Sequence, residues 1–175
     1  DEPDGRDEGL CPYDLVSRGA LIDDDIHELF ARRAAGVRIV LISDSCHSGS
    51  VTRGEEADLD PDLPRVRFMP PQAWMKGTLP PAVLSTVTPR GGFSRAGGDL
   101  LLAGCQDTEY SWDTRFHGRP NGAFTYYALK TLRENKPTTY QKWFDAIRAY
   151  LPSTRLPQSP QILGTRTSRS FKLFK

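Results

Sequence analysis

Residues 44–49, D-S-C-H-S-G, bring together the side chains of a nucleophilic site. Cys46 is the leading catalytic candidate, because a thiolate is an intrinsically strong nucleophile and its surroundings can favour the ionised form. Gly49 lets the backbone curl closely around a substrate carbonyl. The alternative is that Cys46 is a small, buried apolar residue. Its place between Ser45 and His47 favours the catalytic interpretation.

The elements around this segment predict where it lies in the fold. Apolar residues spaced over 22–30 predict a helix that continues to about Ala35 and ends at Gly36. Residues 37–42 form a short, β-branched apolar run, typical of a buried strand in a parallel sheet. A helix followed by such a strand indicates an α/β protein. Residues 44–49 then follow the carboxyl end of a strand, where ligands bind in open α/β sheets.

The rest of the chain continues the alternation after a long connection. Residues 53–98 contain seven prolines and six glycines and predict a poorly structured linker. Residues 100–104 predict a second buried strand, and two helices are predicted around residues 124–132 and 140–151, the first capped by Asn121. Alternating polar and apolar residues over 168–174 predict a closing strand with one wet face.

Composition excludes several classes of function. The chain has 175 residues and a net charge of +1; residues 1–62 hold 16 acidic and 6 basic residues, residues 63–175 hold 6 and 17. No basic run is interleaved with aromatic residues, which argues against nucleic-acid binding. No apolar stretch is long enough to cross a membrane and no signal peptide is visible, so we expect a cytoplasmic protein. Three cysteines without C-x-x-C spacing predict neither disulfides nor a zinc cluster.

Two enzyme families place a cysteine in such a loop. Tyrosine phosphatases use Cys-x5-Arg to hold phosphate, but here six residues separate Cys46 from Arg53, which leaves a phosphatase as the weaker alternative. Residues 44–49 resemble instead the D-S-C-H-S-G signature of metacaspases, caspase-like cysteine peptidases of family C14. Six further blocks agree with that family in the same order: residues 1–8, 11–14, 21–27, 104–107, 120–126 and 159–162. The compact linker is typical of a prokaryotic member, an orthocaspase.

This resemblance implies a caspase-like fold, with a mostly parallel sheet flanked by helices. Residues 1–52 then correspond to the end of the large-subunit (p20) region, 53–98 to the linker, and 99–175 to the small-subunit (p10) region of one domain. The first strands of that fold precede the part of the family that aligns with residue 1. We therefore expect an upstream segment, on a separate chain or the same one, to complete the sheet.

The resemblance also implies roles for individual residues. Cys46 attacks the scissile carbonyl and forms an acyl-enzyme. Asp44 lies in the pocket that receives the residue before the cut bond, where it pairs with a substrate Arg or Lys; the alternative is an ordinary Asp that caps a loop. Asp107 is a weaker candidate for the wall of the same pocket.

The general base is expected outside the sequence. Caspase-type enzymes carry it in a His-Gly pair about 50 residues before the cysteine, and only 45 residues precede Cys46. We therefore expect the histidine on the upstream segment, and interpret His27, His47 and His117 as surface or loop histidines.

Calcium is the one cofactor that the resemblance suggests, as an activator and not as part of the chemistry. Asp7, Asp23 and Asp24 match family ligand positions, and carboxylate oxygens suit Ca²⁺. Arg53 stands where a fourth acidic ligand is expected. Asp23 and Asp24 also suit a helix N-terminus without any metal.

The expected partners are protein or peptide substrates with a basic residue before the cut bond. Linker residues of the same kind could be cut by the enzyme itself: Arg65, Arg67, Lys76, Arg90 and Arg95. The rival from another class is a non-catalytic caspase-like module that binds or scaffolds partners.

Overall fold

The computed structural model describes residues 9–45, 63–67, 99–106 and 109–175, without the side chains of Asp23, Asp24 and His27. The chain divides into two compact units. The described part of the first is residues 9–37, and the rest belongs to the second. In chain order the elements are β1 (Gly9–Leu10), α1 (Leu15–Arg18), β2 (Leu21–Ile22), α2 (Asp23–Ala31), β3 (Val40–Ser43), β4 (Arg65–Val66), β5 (Leu100–Ala103), β6 (Trp112–Phe116), β7 (Arg119–Gly122), α3 (Ala123–Asn135), α4 (Tyr140–Arg148), β8 (Gln161–Gly164) and α5 (Arg166–Arg169).

The first unit contains a two-stranded antiparallel pair, β1 and β2, that leads directly into α2. The predicted helix forms here but ends at Ala31, four residues before the expected end at Ala35. Most residues that follow are exposed, so packing does not extend the helix, and Gly36 adopts a left-handed φ of +83°.

The second unit is built on a mixed three-stranded sheet in the order β3-β5-β8. β3 and β5 are parallel, with Val40 opposite Leu100, whereas β5 and β8 are antiparallel. Both predicted strands form, but only β5 is largely buried; β3 is half-buried, and it begins only at Val40, after the exposed Val37 and Arg38. The parallel pair brings the carboxyl ends of β3 and β5 to one edge of the sheet, where β3 leads into Asp44 and Ser45.

Helices α3 and α4 cover this sheet and form the core with it. The indole N–H of Trp143 on α4 donates to the Ala128 carbonyl of α3 at 2.9 Å, which fixes the two helices against each other. Fully burying each large apolar side chain contributes about 1.5–3 kcal/mol. Residues with under a tenth of their surface exposed make up this cluster: Leu100, Leu102, Ala123, Phe124, Ala128, Tyr140, Trp143, Ile147, Leu151, Leu156 and Ile162. Among the described helices, none is long and apolar enough to cross a membrane.

A second three-stranded sheet, in the order β4-β6-β7, was not predicted from the sequence. β6 and β7 form a hairpin whose two turn residues, His117 and Gly118, have positive φ angles of 53° and 77°. Positive φ at both positions is the type I′ pattern, whose twist matches that of the flanking strands. β4 lies within the expected linker and pairs with β6, so this part of the expected linker belongs to the second unit.

Two predictions near the helices are wrong. Residues 168–174 do not form a strand; Thr165 caps the short helix α5 by accepting from the Ser168 N–H at 3.0 Å, and local capping overrides the alternating pattern. The strand in this region is β8. Asn121 does not cap α3 either, since it lies in β7 and Gly122 is the N-cap residue without a side chain to offer.

Candidate active site

Asp44 follows β3 directly and supplies the cap that Gly122 cannot provide. Its Oδ2 accepts hydrogen bonds from the backbone N–H of Thr125 at 3.0 Å and from the Thr125 hydroxyl at 2.7 Å. Thr125 is the third residue of α3, where backbone N–H groups lack partners within the helix and carry partial positive charge. A carboxylate from 81 positions earlier in the chain therefore caps this helix.

Among the residues that the structure describes, the second oxygen of the same carboxylate has no hydrogen-bond partner. The Asp44 side chain is 7% exposed, and its Oδ1 is buried. An unsatisfied buried polar atom costs about 1–3 kcal/mol, so folded proteins rarely retain one without a use for it. Oδ1 is thus a hydrogen-bond acceptor that a donor from a ligand can satisfy. The hydrogen bonds to Oδ2 hold it in place.

Two glycines allow the backbone to approach this carboxylate. A Cβ atom on Gly104 would lie 3.0 Å from Asp44 Oδ1 and 2.8 Å from Ser111 Oγ. A Cβ atom on Gly122 would overlap both Asp44 Oδ2 and Arg67 Nη1. A side chain at position 122 would therefore overlap the Asp44 carboxylate, whereas one at position 104 would only crowd it.

A single guanidinium lies between two carboxylates at this place. Arg67 Nη1 donates to Asp113 Oδ1 at 2.7 Å and lies 3.9 Å from Asp44 Oδ2. The Arg67 backbone N–H donates to the Ser111 carbonyl at 2.9 Å, which continues the pairing of β4 with β6. We name the group formed by Asp44 and Asp113 with the adjoining Gly104 and Gly122 the acidic pocket.

Sequence reasoning missed two residues of this group. The sequence offered no reason to select Asp113. It indicated Arg67 only as a linker residue after which the enzyme could cut the chain. The alternation of polar Ser111 and Asp113 with Trp112 and Thr114 is a weak strand signal that would have placed both polar residues on one face. Nothing in the sequence pairs that strand with Arg67.

The chain that leads into Cys46 is anchored from β5. The buried thiol of Cys105 donates to the Ser45 carbonyl at 3.7 Å and accepts from the Ser111 hydroxyl at 3.4 Å. The Ser45 hydroxyl also lies 2.7 Å from that of Ser43. Ser45 immediately precedes Cys46, so these contacts fix the backbone position directly before the predicted nucleophile.

Gln158 holds the neighbouring loop ends together. This fully buried side chain donates from Nε2 to the Gly104 carbonyl at 2.8 Å and accepts from the Trp112 N–H at 3.0 Å. It thus links the end of β5 to the start of β6, the strand that carries Asp113.

The remaining predicted site residues are only partly placed by the structure. Cys46, Asp107 and Asp7 lie outside the described residues, and for Asp23 and Asp24 only the backbone is described, at the first two positions of α2. The roles of Cys46 and Asp107, and the calcium ligands, therefore stay predictions. His117 is exposed in the hairpin turn, in line with its interpretation as a surface residue.

Comparison with known proteins gives matches over nearly the whole chain. Residues 1–53 match the model of the metacaspase, peptidase C14 domain. Metacaspase-1A of Aspergillus oryzae is 29% identical over 93% of this chain, and metacaspase-1B of Aspergillus terreus is equally similar over the same share. The chain spans 44% and 49% of those two relatives, that is, about half of their length.

A solved structure agrees with these matches. The crystal structure of a protein from Geobacter sulfurreducens is 30% identical, with a TM-score of 0.66, and the alignment covers 100% of this chain and 64% of that one. Together with the helix-flanked sheets, these matches confirm the expected α/β, caspase-like fold.

Proposed function

We propose that this chain, a homologue of the metacaspases of peptidase family C14, is the larger part of a cysteine endopeptidase that cleaves after Arg or Lys. Cys46 is the nucleophile, and the histidine base lies on a segment upstream of residue 1. The observation that carries the proposal is the buried carboxylate of Asp44, two residues before Cys46: one oxygen is fixed, and the other has no hydrogen-bond partner in the described part of the chain.

The state of this carboxylate favours a cationic substrate side chain. A guanidinium or ammonium group can donate to the unpaired Oδ1, and such charge-assisted hydrogen bonds are about twice as strong as neutral ones. Burial of the Asp44 side chain strengthens the attraction further, since the surroundings screen charge less than water does. An acidic substrate side chain would instead meet like charge, so we expect no cleavage after Asp.

Cys46 supplies the chemistry that this binding site would position. Its thiolate attacks the carbonyl carbon of the bond that follows the bound Arg or Lys, and the carbonyl oxygen takes the negative charge. The upstream histidine, protonated, gives its proton to the leaving amine, and the acyl-enzyme forms as the C–N bond breaks. Water then adds to the thioester with the histidine as base, and the acid product and the thiolate are released.

The edge of the first sheet supports an upstream segment. Among the described strands, β3 pairs only with β5, so its other edge has no strand partner there. The apolar side chain of Ile42, which points to a face of the sheet, is 42% exposed, so the face next to this edge is also only partly covered. Open apolar edges are normally covered or paired, and we propose that the segment carrying the histidine pairs with β3.

The test is hydrolysis of fluorogenic peptides by the full-length protein. Peptides that end in Arg, Lys or Asp before the fluorophore are compared for the wild type and for Cys46→Ala. We expect release from the Arg and Lys peptides only, lost in Cys46→Ala and kept in the matched variant Cys11→Ala. Absence of any Cys46-dependent release from the Arg peptide would overturn the proposal in favour of a non-catalytic binding module.

Self-processing in the linker follows from the same specificity. Linker arginines and lysines are substrates of the proposed kind, and we expect the wild-type protein to be cut after at least one of them. Mass spectrometry of the wild type beside Cys46→Ala identifies the fragments. Identical fragments from both proteins would assign the cutting to another protease.

A further inference from the structure

We propose that Arg67 is an internal cation that occupies the acidic pocket in the absence of substrate and is displaced by the substrate's basic side chain. Arg67 would thereby help to determine specificity; this inference rests on the proposed cleavage after Arg or Lys. The juxtaposition that carries it is one guanidinium lying 2.7 Å from Asp113 and 3.9 Å from Asp44.

The position of Arg67 is that of a competitor for the pocket. Its Nη1 lies against Gly122, at the point where a Cβ atom would also meet Asp44 Oδ2. Arg67 is therefore a cation beside the carboxylate of Asp44, whose other oxygen has no donor among the described residues. A second positive charge entering next to Asp44 would be repelled by the guanidinium, unless Arg67 moves away.

The exposure of this side chain makes such movement inexpensive. The side chains of Arg67 and Asp113 are 35% and 45% exposed. Ion pairs at partly exposed positions are weak, since water solvates the separated charges and salt screens them. The Asp44 side chain, at 7% exposed, is the buried and fixed member of the group. A substrate cation that reaches Asp44 can thus displace Arg67 toward solvent.

The backbone of Arg67 indicates that this residue occupies the acidic pocket and is not a cleavage site. Its N–H is held by the Ser111 carbonyl at 2.9 Å, next to the two paired residues of β4. A long arginine side chain can turn to solvent while this backbone stays in the sheet. We therefore expect Arg67 to remain uncut when other linker residues are processed.

The charges of the pocket explain what Arg67 contributes. The guanidinium of Arg67 compensates one of the two negative charges of Asp44 and Asp113. A substrate must therefore have a cationic side chain that can displace Arg67. Without Arg67, both carboxylates are available, and any cationic side chain binds more tightly. Arg67 thus raises the KM for basic substrates without taking part in the chemistry.

The kinetic test uses the full-length protein and the fluorogenic Arg peptide. Arg67→Ala is expected to lower KM about fivefold, the upper end of what a partly exposed ion pair contributes, with kcat unchanged. Arg67→Lys keeps the charge and should keep the wild-type KM. Arg119→Ala removes the same charge from an exposed position on β7 and serves as the matched control. An unchanged or raised KM in Arg67→Ala, with an active wild type, would overturn the inference alone.

A binding test distinguishes failure of the Arg67 proposal from failure of the proposed peptidase function. Agmatine, a small guanidinium compound, is titrated calorimetrically into Cys46→Ala and into Cys46→Ala/Arg67→Ala, so no cleavage is needed. We expect binding about fivefold tighter in the double variant. If Arg67→Ala does not fold, Arg67→Gln takes its place in both tests. Equal or weaker agmatine binding in the double variant, or a fragment that ends at Arg67, contradicts the role assigned to Arg67, whatever the outcome of the peptidase assay.

Discussion

The carboxylate of Asp44 accepts two hydrogen bonds from Thr125, one from its backbone N–H at 3.0 Å and one from its hydroxyl at 2.7 Å. This pair joins the end of β3 to the first turn of α3. One oxygen thus has a structural task, while the other has no hydrogen-bond partner among the described residues. The two interpretations of Asp44 that the sequence left open, a capping residue and a pocket residue, are therefore compatible in one side chain.

Substitution of Asp44 should separate these two tasks. Asp44→Asn keeps an oxygen that can accept from Thr125 but removes the charge, so we expect kcat/KM for the Arg peptide to fall at least about thirtyfold, as for other buried charge pairs. Asp44→Ala also removes the cap and should lower the free energy of unfolding by about 1–3 kcal/mol. Peptide kinetics and denaturant unfolding measure the two effects.

The matched control for this charge is Asp145→Asn on α4, which removes an exposed carboxylate that accepts from Gln141. We expect this variant to keep both activity and stability. If Asp44→Asn kept full kcat/KM for the Arg peptide, Asp44 would be a capping residue only.

Gly122→Ala should disturb the pocket through contacts alone. The backbone of Gly122, with φ −63° and ψ 136°, suits any residue, but the added Cβ would overlap Asp44 Oδ2 and Arg67 Nη1. We expect a loss of about 1–3 kcal/mol in unfolding free energy, as for other overpacked sites, and a lower kcat/KM for the Arg peptide.

Gly118→Ala is the comparison for Gly122. Its φ of +77° disfavours a side chain, yet nothing lies within 4 Å of the added Cβ. The backbone strain should cost about 1–2 kcal/mol, with kcat/KM unchanged. Equal losses of activity in both variants would attribute the effect at Gly122 to stability and not to the pocket.

The two described cysteines should differ sharply toward alkylation. Cys11 is exposed, whereas Cys105 is 1% exposed. In native Cys46→Ala protein, iodoacetamide should label Cys11 and leave Cys105 unmodified, because thiol reactivity requires access. In guanidinium chloride both should react. Mass spectrometry locates the label, and equally fast native labelling of Cys105 would contradict its burial.

Calcium activation is a prediction that follows from the resemblance to metacaspases. We expect Ca²⁺ to raise the rate of Arg-peptide hydrolysis by the full-length protein and EGTA to reverse it. Asp24→Asn should raise the calcium concentration needed for half-maximal activity, because one carboxylate ligand is lost. The neighbouring Asp25→Asn, at an exposed position of α2, is the matched control. Equal activity with calcium and with EGTA would contradict a calcium-binding role. Asp23 and Asp24 would then only stabilise the N-terminus of α2.

Local patterns were sufficient for the parts of the fold that depend on neighbours in sequence. The apolar run before residue 44 predicts β3, the run at residues 100–104 predicts β5, and helical spacing predicts α3 and α4. These predictions hold because burial of a strand or of one helix face imposes its period on the sequence. Where local capping opposed the period, at residues 168–174, the pattern predicted the wrong element.

The sequence by itself determined the similarity to metacaspases and the α/β class, and it predicted the nucleophile segment with Asp44 beside it. Only the tertiary structure decided that Thr125 fixes this carboxylate and that Arg67 lies between Asp44 and Asp113. These contacts join residues 81, 23 and 46 positions apart. No periodicity encodes such pairings, because they arise only when β4 pairs with β6 and α3 packs its first turn against the end of β3.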